Sequence, residues 1–218
     1  MPADIPPLTP GNFYHIYNRG NNRGNVFIQE RNYAYFMELW WKHIFQIAET
    51  YAYCLLKNHF HALVYIKDLT RDLTGLSESL PILRPDPQES RNGKGAGQNL
   101  SGLPLKQPSQ YFSNLFNAYT RGVNLATGRT GALFERPFER LPVTSDAYLL
   151  RLVVYIHQNP QKHKFVEDFR DWPYSSYHDL VVDTPTRLER EKLMGLFGSK
   201  QDFLRIHKEI QPLDGWED

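Results

Sequence analysis

The chain has 218 residues and carries 25 Lys+Arg against 24 Asp+Glu, a formal net charge of +1. Its 41% hydrophobic and 22% charged residues are too apolar a mixture for a disordered chain, and the length suits one domain with appendages or two small ones. The apolar runs are too short for a transmembrane span, and the single Cys54 excludes an internal disulfide framework or a cysteine-based zinc site. Met1 to Pro7 shows no secretory signal, so a cytoplasmic protein without membrane contact is expected.

Phe13 to Tyr17 is aromatic and β-branched and runs into Asn18-Arg19-Gly20, which predicts a strand and a turn. Arg31 to Glu49 holds no Pro or Gly, and Tyr33, Phe36, Met37, Trp40, Ile44 and Ile47 recur near a 3.6 period, predicting an amphipathic helix. Tyr51 to Leu56 and His59 to Ile66 read as strands, and the two residues Lys57-Asn58 between them predict an antiparallel hairpin. Residues 68–108 hold five Pro and five Gly without periodicity and read as a mobile insertion. Ser109 to Asn124 returns to helical spacing through Phe112, Leu115, Phe116, Tyr119 and Val123. Leu133 to Val143 predicts a strand broken at Pro137, which suits a sheet edge or a bulge. Thr144 or Ser145 caps a helix that Pro160 is expected to stop, and short helices follow over Arg187 to Phe197 and Lys200 to His207.

The resulting order β-α-β-β-α-β-α predicts an α+β fold: a ferredoxin-like βαββαβ layer with an antiparallel sheet, an extra C-terminal helix and a helical tail. The domain is expected over 11–178 and an acidic tail over 179–218.

A near-zero net charge argues against nucleic acid, but the mean hides a gradient. Residues 121–164 hold seven basic and three acidic side chains, a balance of +4, whereas residues 165–218 hold seven and twelve, a balance of −5. The basic stretch predicts a working face, diluted and screened by the tail.

His59-Phe60-His61 is the sharpest local feature. Strand alternation puts His59, His61, Leu63 and Tyr65 on one face, so two imidazoles can share a metal ion. Phe60, Ala62, Val64 and Ile66 form an apolar face for a helix. The plainer reading is a pair of histidines on a solvated face. Tyr155 and Asn159 lie four apart and stack on one side of their helix, where they can act as nucleophile and ligand, although the plainer reading of Tyr155 is a core aromatic. Leu149, Leu152, Val153 and Ile156 form an apolar stripe offset from them, which predicts a more polar edge for the pair. Tyr119 is the rival phenol, and its place in an apolar stripe favours a core role. Cys54 lies in a strand, where a buried thiol is expected to be inert. No phosphate-binding glycine loop and no Gly-x-Ser-x-Gly elbow is present.

Leu56 to Val64, which contains His59-Phe60-His61, resembles a His-hydrophobic-His (HUH) motif. Tyr155-Ile156-His157-Gln158-Asn159-Pro160 with Lys162-His163 resembles the Tyr-Ile-x-x-Asn-Pro signature of REP-associated tyrosine transposases. Phe13 to Gly20, Gly131 to Phe138 and Asp171 to Tyr177 also resemble that family, in family order. The insertion at 68–108 and the acidic tail depart from it.

The resemblance implies a single-tyrosine transposase acting on single-stranded DNA, with Tyr155 as nucleophile and His59, His61 and Asn159 as ligands of a divalent metal. It implies cleavage by transesterification through a 5′-phosphotyrosine, on hairpin or other single-stranded DNA. Mg²⁺ is expected in the cell and Mn²⁺ in vitro, since an N,N,O ligand set suits manganese. Arg136 and Arg140 are expected beside the site, with Arg19, Arg121, Arg129, Lys162 and Lys164 as further phosphate contacts. A domesticated DNA-binding protein and a metal-dependent hydrolase remain as alternatives, and monomer and homodimer both stay open.

Overall fold

The computed structural model describes residues 6–68 and 107–210. Most of the expected insertion, residues 69–106, and the last residues of the expected tail, 211–218, lie outside the described residues.

Phe13–Arg19 forms β1, two residues longer than its aromatic run, and Gly20 follows because a β-carbon there would overlap the Gly24 carbonyl oxygen. Arg31–His43 forms α1 and buries Tyr33, Phe36, Leu39 and Trp40. The helix ends well short of Glu49. Ala48–Leu55 is β2, and Ala48 already pairs with Ile66. The buried Ile44 and Ile47 sit in the turn between helix and strand, so their helical spacing misled. Cross-strand pairing to residues far along the chain outweighs a local period here. His59–Ile66 is β3, joined to β2 by a tight turn in which the Leu56 amide donates to the His59 carbonyl at 2.8 Å.

Pro108–Thr127 forms α2 and Glu139–Val143 forms β4. β4 is shorter than the expected strand, which retains only an isolated bridge from Phe134 to Gly20 ahead of Pro137. The four strands run antiparallel in the order β2-β3-β1-β4, so β4 is an edge, which tolerates Pro142. This is the strand order of a ferredoxin-like layer with α1 and α2 as its crossover helices.

Asp146–Lys162 forms α3. Ser145 caps it, its hydroxyl oxygen accepting from the Tyr148 amide. Pro160 does not stop it. Proline removes its own amide from the ladder, but the His163 amide still reaches the Asn159 carbonyl at 3.0 Å, so the helix runs on to Lys162. Three short helices complete the described chain: α4 (Tyr177–Val181), α5 (Arg190–Phe197) and α6 (Lys200–Glu209).

Two apolar clusters hold the fold, one on each face of the sheet. Phe60, Ala62, Val64 and Ile66 join Phe36 and Trp40 of α1 and Phe112, Phe116 and Tyr119 of α2. On the other face Leu63, Ala52 and Cys54 join Leu149, Leu152, Val153 and Ile156 of α3, and Leu180, Leu193, Phe197 and Phe203 of the last helices belong to that same cluster. The segment read as an acidic tail therefore packs on α3 and the sheet. Tyr119 is a core residue whose hydroxyl donates to the Val26 carbonyl at 2.8 Å, and burial pushes its phenol far above the ordinary value. Cys54 is buried, and desolvation raises its thiol pKa well above the usual range.

A buried histidine pair fastens α6 to α3. His157 Nδ1 lies 2.8 Å from His207 Nε2, His157 Nε2 lies 2.9 Å from Ser176 Oγ, and His207 Nδ1 lies 2.8 Å from the Phe203 carbonyl. Burial lowers the His207 pKa from 6.5 to about 4. The unfolded chain therefore takes up this proton first, and stability falls as pH drops from about 6.5 toward 4. His207 alone is expected to cost the fold about 2 kcal/mol between pH 7 and pH 5. Urea unfolding midpoints measured at both pH values, in wild type and in His207→Leu, check this. A wild-type profile as flat as the variant's would refute it.

Candidate active site

β3 begins at His59, and its alternation carries His59 and His61 onto the face that α3 covers. α3 crosses that face with Tyr155 and Asn159 one turn apart. The Tyr155 ring stands edge-on to His61 with centroids 5.5 Å apart, and Asn159 Oδ1 lies 3.5 Å from His59 Nε2. The His59 and His61 rings are 5.1 Å apart. Two motifs almost a hundred residues apart in sequence thus meet at one point.

The set is buried, with His59 at 5%, His61 at 1%, Tyr155 at 2% and Asn159 at 0% exposure. The histidines do not sit on a solvated face, and Tyr155 and Asn159 do not occupy a polar edge. Packing of α3 against the sheet closes over both pairs, and neither isolated helix nor isolated strand could show that. A cleft of about 160 Å³, lined by Tyr17, Asn18, Arg19, His59, Glu135 and neighbouring residues, reaches the set at His59.

Each imidazole is held by a second partner. His59 Nδ1 lies 2.8 Å from Asn58 Oδ1, and His61 Nδ1 lies 3.0 Å from His15 Nε2. Both His59 ring nitrogens face amide oxygens, so a neutral ring can donate to only one of them, and a cation between Nε2 and Asn159 Oδ1 would satisfy the other pair. Asn159 Nδ2 is buried without a hydrogen-bond partner among the described residues, so this amide has polar capacity that they leave unused. Two imidazoles and one amide oxygen fit a divalent metal of intermediate softness. Among the described residues no three His, Cys, Asp or Glu side chains cluster at metal-binding spacing, so a site here needs the asparagine as its third donor.

The expected phosphate contacts separate into two groups. Arg19 lies opposite His59 in the β1–β3 register and pairs with Glu135 at 2.8 Å. Lys162 places Nζ 5.0 Å over the Tyr155 ring, and Lys164 is exposed just past α3. The other four lie on or beside the opposite face. Arg121 is exposed on α2, and Arg129, just beyond it, donates to Asn124 Oδ1. Arg136 donates to Asn117 of α2 at 3.1 Å. Arg140 pairs across the sheet with Ile16, hence on the α2 side, with its guanidinium 4.6 Å from the Phe138 ring centre. Burial lowers its pKa from the usual arginine value. Arg136 and Arg140 therefore do not flank His59 and His61.

Sequence reasoning missed His15, Tyr17 and Asn58. The Tyr17 ring lies 5.6 Å from His61, and Tyr17 is its direct cross-strand partner. Their period-two spacing with Phe13 was visible, but the β1–β3 register that points them at His61 was not.

No family model matches the chain. A curated Haemophilus influenzae protein, provisionally named a REP-associated tyrosine transposase, is 40% identical over 50 residues. That segment is 23% of this chain, and the match spans only 28% of the relative's length. A solved structure of a REP-associated tyrosine transposase bound to a REP hairpin superposes with a TM-score of 0.55 at 15% identity, covering 85% of this chain and 89% of that one. At that identity the superposition speaks for the fold. In one sequence segment and across most of its fold, this chain resembles the REP-associated tyrosine transposases.

Proposed function

We propose that the protein is a DNA transposase or endonuclease that cleaves and rejoins single strands through a covalent tyrosine intermediate, acting in the cytoplasm on hairpin DNA with a single-stranded flank. The observation that carries this reading is the meeting of Tyr155 and Asn159 of α3 with His59 and His61 of β3. A hydrolase of small molecules needs no phenol in such a place. The hairpin in the solved relative supports the choice of substrate.

Tyr155 oxygen attacks phosphorus, the bond from phosphorus to the 3′ oxygen breaks, and the 3′-hydroxyl leaves with a proton. The product is a 5′-phosphotyrosine, and another 3′-hydroxyl reverses the step to join ends. One phosphodiester replaces another, so no external energy is consumed. An ordinary phenol has a pKa of about 10 and needs help near neutrality. Lys162, with its ammonium 5.0 Å over the ring, offers positive charge as the oxygen loses its proton. His59, His61 and Asn159 would hold a divalent cation, Mg²⁺ or Mn²⁺, which when bound supplies charge to the phosphate oxygens. Arg19, Lys162 and Lys164 would hold the strand near the set. No helix among the described residues is long and apolar enough to cross a membrane.

Incubating the protein with a labelled hairpin carrying a single-stranded flank and Mn²⁺ is expected to give a covalent, protease-sensitive adduct and a free 3′-hydroxyl. Tight binding without any adduct would favour a domesticated DNA-binding protein. A cleaved product bearing a free 5′-phosphate would favour hydrolysis.

A further inference from the structure

We infer that His15 is a positioning residue that fixes the tautomer of His61 and aims its Nε2 into the active site. The inference rests on the proposed reading of the site as a metal-assisted transposase centre. His15 lies on β1 and is buried. In the β1–β3 register it pairs with Leu63 while Tyr17 pairs with His61, so His15 is the diagonal neighbour of His61 on the same face. Its Nε2 is 3.0 Å from His61 Nδ1, and the two rings stack at 5.1 Å and 27°.

One N–H lies between these two nitrogens, and its donor decides what His61 can do. With His61 Nδ1–H donating to His15 Nε2, the His61 lone pair stands on Nε2, on the side of the ring away from His15. The other imidazole of the pair can be held in the same way. Asn58 Oδ1 can only accept, so a neutral His59 that donates to it from Nδ1 carries its lone pair on Nε2. Both candidate ligands then present the same nitrogen, each oriented through the other one, which is how metal-binding histidines are commonly held.

The chemistry of the partner matters as well. Such a partner is often a carboxylate, and a carboxylate this close would repel an incoming phosphodiester. An imidazole accepts the same hydrogen bond without a negative charge. The His15 ring is itself held in place, 4.8 Å from Tyr17 and edge-on to Tyr155 at 6.2 Å.

The test uses the full chain with two variants. His15→Phe keeps a ring of similar size and removes the acceptor, whereas the His15→Gln side chain carries an oxygen that can accept. Long-range ¹H–¹⁵N spectra of the metal-free protein are expected to show His61 with its proton on Nδ1 in wild type. A wild-type His61 protonated on Nε2 overturns the inference. Mn²⁺ binding, read by the paramagnetic resonance of the free ion without DNA, is expected to weaken about 10–100-fold in His15→Phe. It should recover to within a few-fold of wild type in His15→Gln. Unchanged Mn²⁺ affinity in His15→Phe, where His61→Ala loses it, also overturns the inference. If wild type neither binds Mn²⁺ nor forms a DNA adduct, the transposase reading fails, and the His61 tautomer still decides separately whether His15 orients it.

Discussion

Replacing Tyr155 with phenylalanine is expected to abolish covalent capture of DNA, a loss of at least about 10³-fold in adduct formation, while the protein stays folded and still binds the hairpin. The substitution removes the one atom that would attack phosphorus. The ring is buried in the cluster that α3 shares with the sheet, and phenylalanine fills that space. Loss of the hydroxyl should therefore cost the fold only about 1 kcal/mol. Tyr119→Phe is the matched control. It deletes the donor to the Val26 carbonyl in the opposite cluster and is expected to cost about 1–3 kcal/mol of stability while leaving the adduct intact. An adduct that survives in Tyr155→Phe and disappears in Tyr119→Phe would mean that the nucleophile lies on α2.

Ending the chain at Asp183 is expected to unfold the protein or to leave it insoluble. The deletion removes Leu188, Leu193, Phe197 and Phe203, all buried in the cluster that covers α3. At about 2 kcal/mol each, these four contribute roughly 8 kcal/mol, as much as many domains have in total. It also strips the His207 and Ile210 carbonyls that accept from Gln158, each at 3.0 Å, and the Lys192–Glu49 ion pair at 2.6 Å. Circular dichroism and thermal unfolding of the shortened chain read the result. A shortened chain that keeps its melting temperature and binds DNA more tightly would make the segment a detachable acidic screen. The packing against α3 argues for the opposite role. The twelve acidic side chains beyond residue 164 lie on a segment whose apolar residues hold the candidate nucleophile's helix against the sheet.

The expectation of a screening tail came from a local reading. Acidic side chains dominate the composition after residue 164, but composition does not report which few apolar residues are buried. α3 shows the same limit. A helical wheel places Tyr155 and Asn159 off the apolar stripe, and in an isolated helix that would be an edge. In the fold, the sheet covers one side of the helix and α5 and α6 pack in the same cluster, so the edge is interior. Arg136 and Arg140 precede α3 in a basic stretch, and counting charges placed them beside the histidines. Alternation along β4 sends Arg140 to the face where Ile16 lies, and Arg136 reaches Asn117 on α2. α1 and α3 erred in opposite directions. Its period suggested that the first helix continues through Ile44 and Ile47, and Pro160 suggested an early end to the other. In each case the outcome turned on which backbone amides found partners, the Lys67 amide at the Ile47 carbonyl in one and the His163 amide at the Asn159 carbonyl in the other.

Strand β3 was read to the residue, because a two-residue break and strict alternation are properties of neighbouring residues. The same holds for the helix start at Thr144 or Ser145, the core role of Tyr119 and the four-residue step from Tyr155 to Asn159. Each depends on contacts within a few positions along the chain, where the backbone's own geometry sets who meets whom. The strand order β2-β3-β1-β4 and the covering of both sheet faces depend on contacts between residues tens of positions apart. So do the contact of His15 with His61 and the division of the basic residues between two faces. Many pairings satisfy the same local pattern, and only the packing of the whole chain selects one. Local pattern along the chain picked out which side chains could do chemistry. Which of them share a site follows from strand register and helix docking, set by burial over the whole molecule, because these bring distant side chains together.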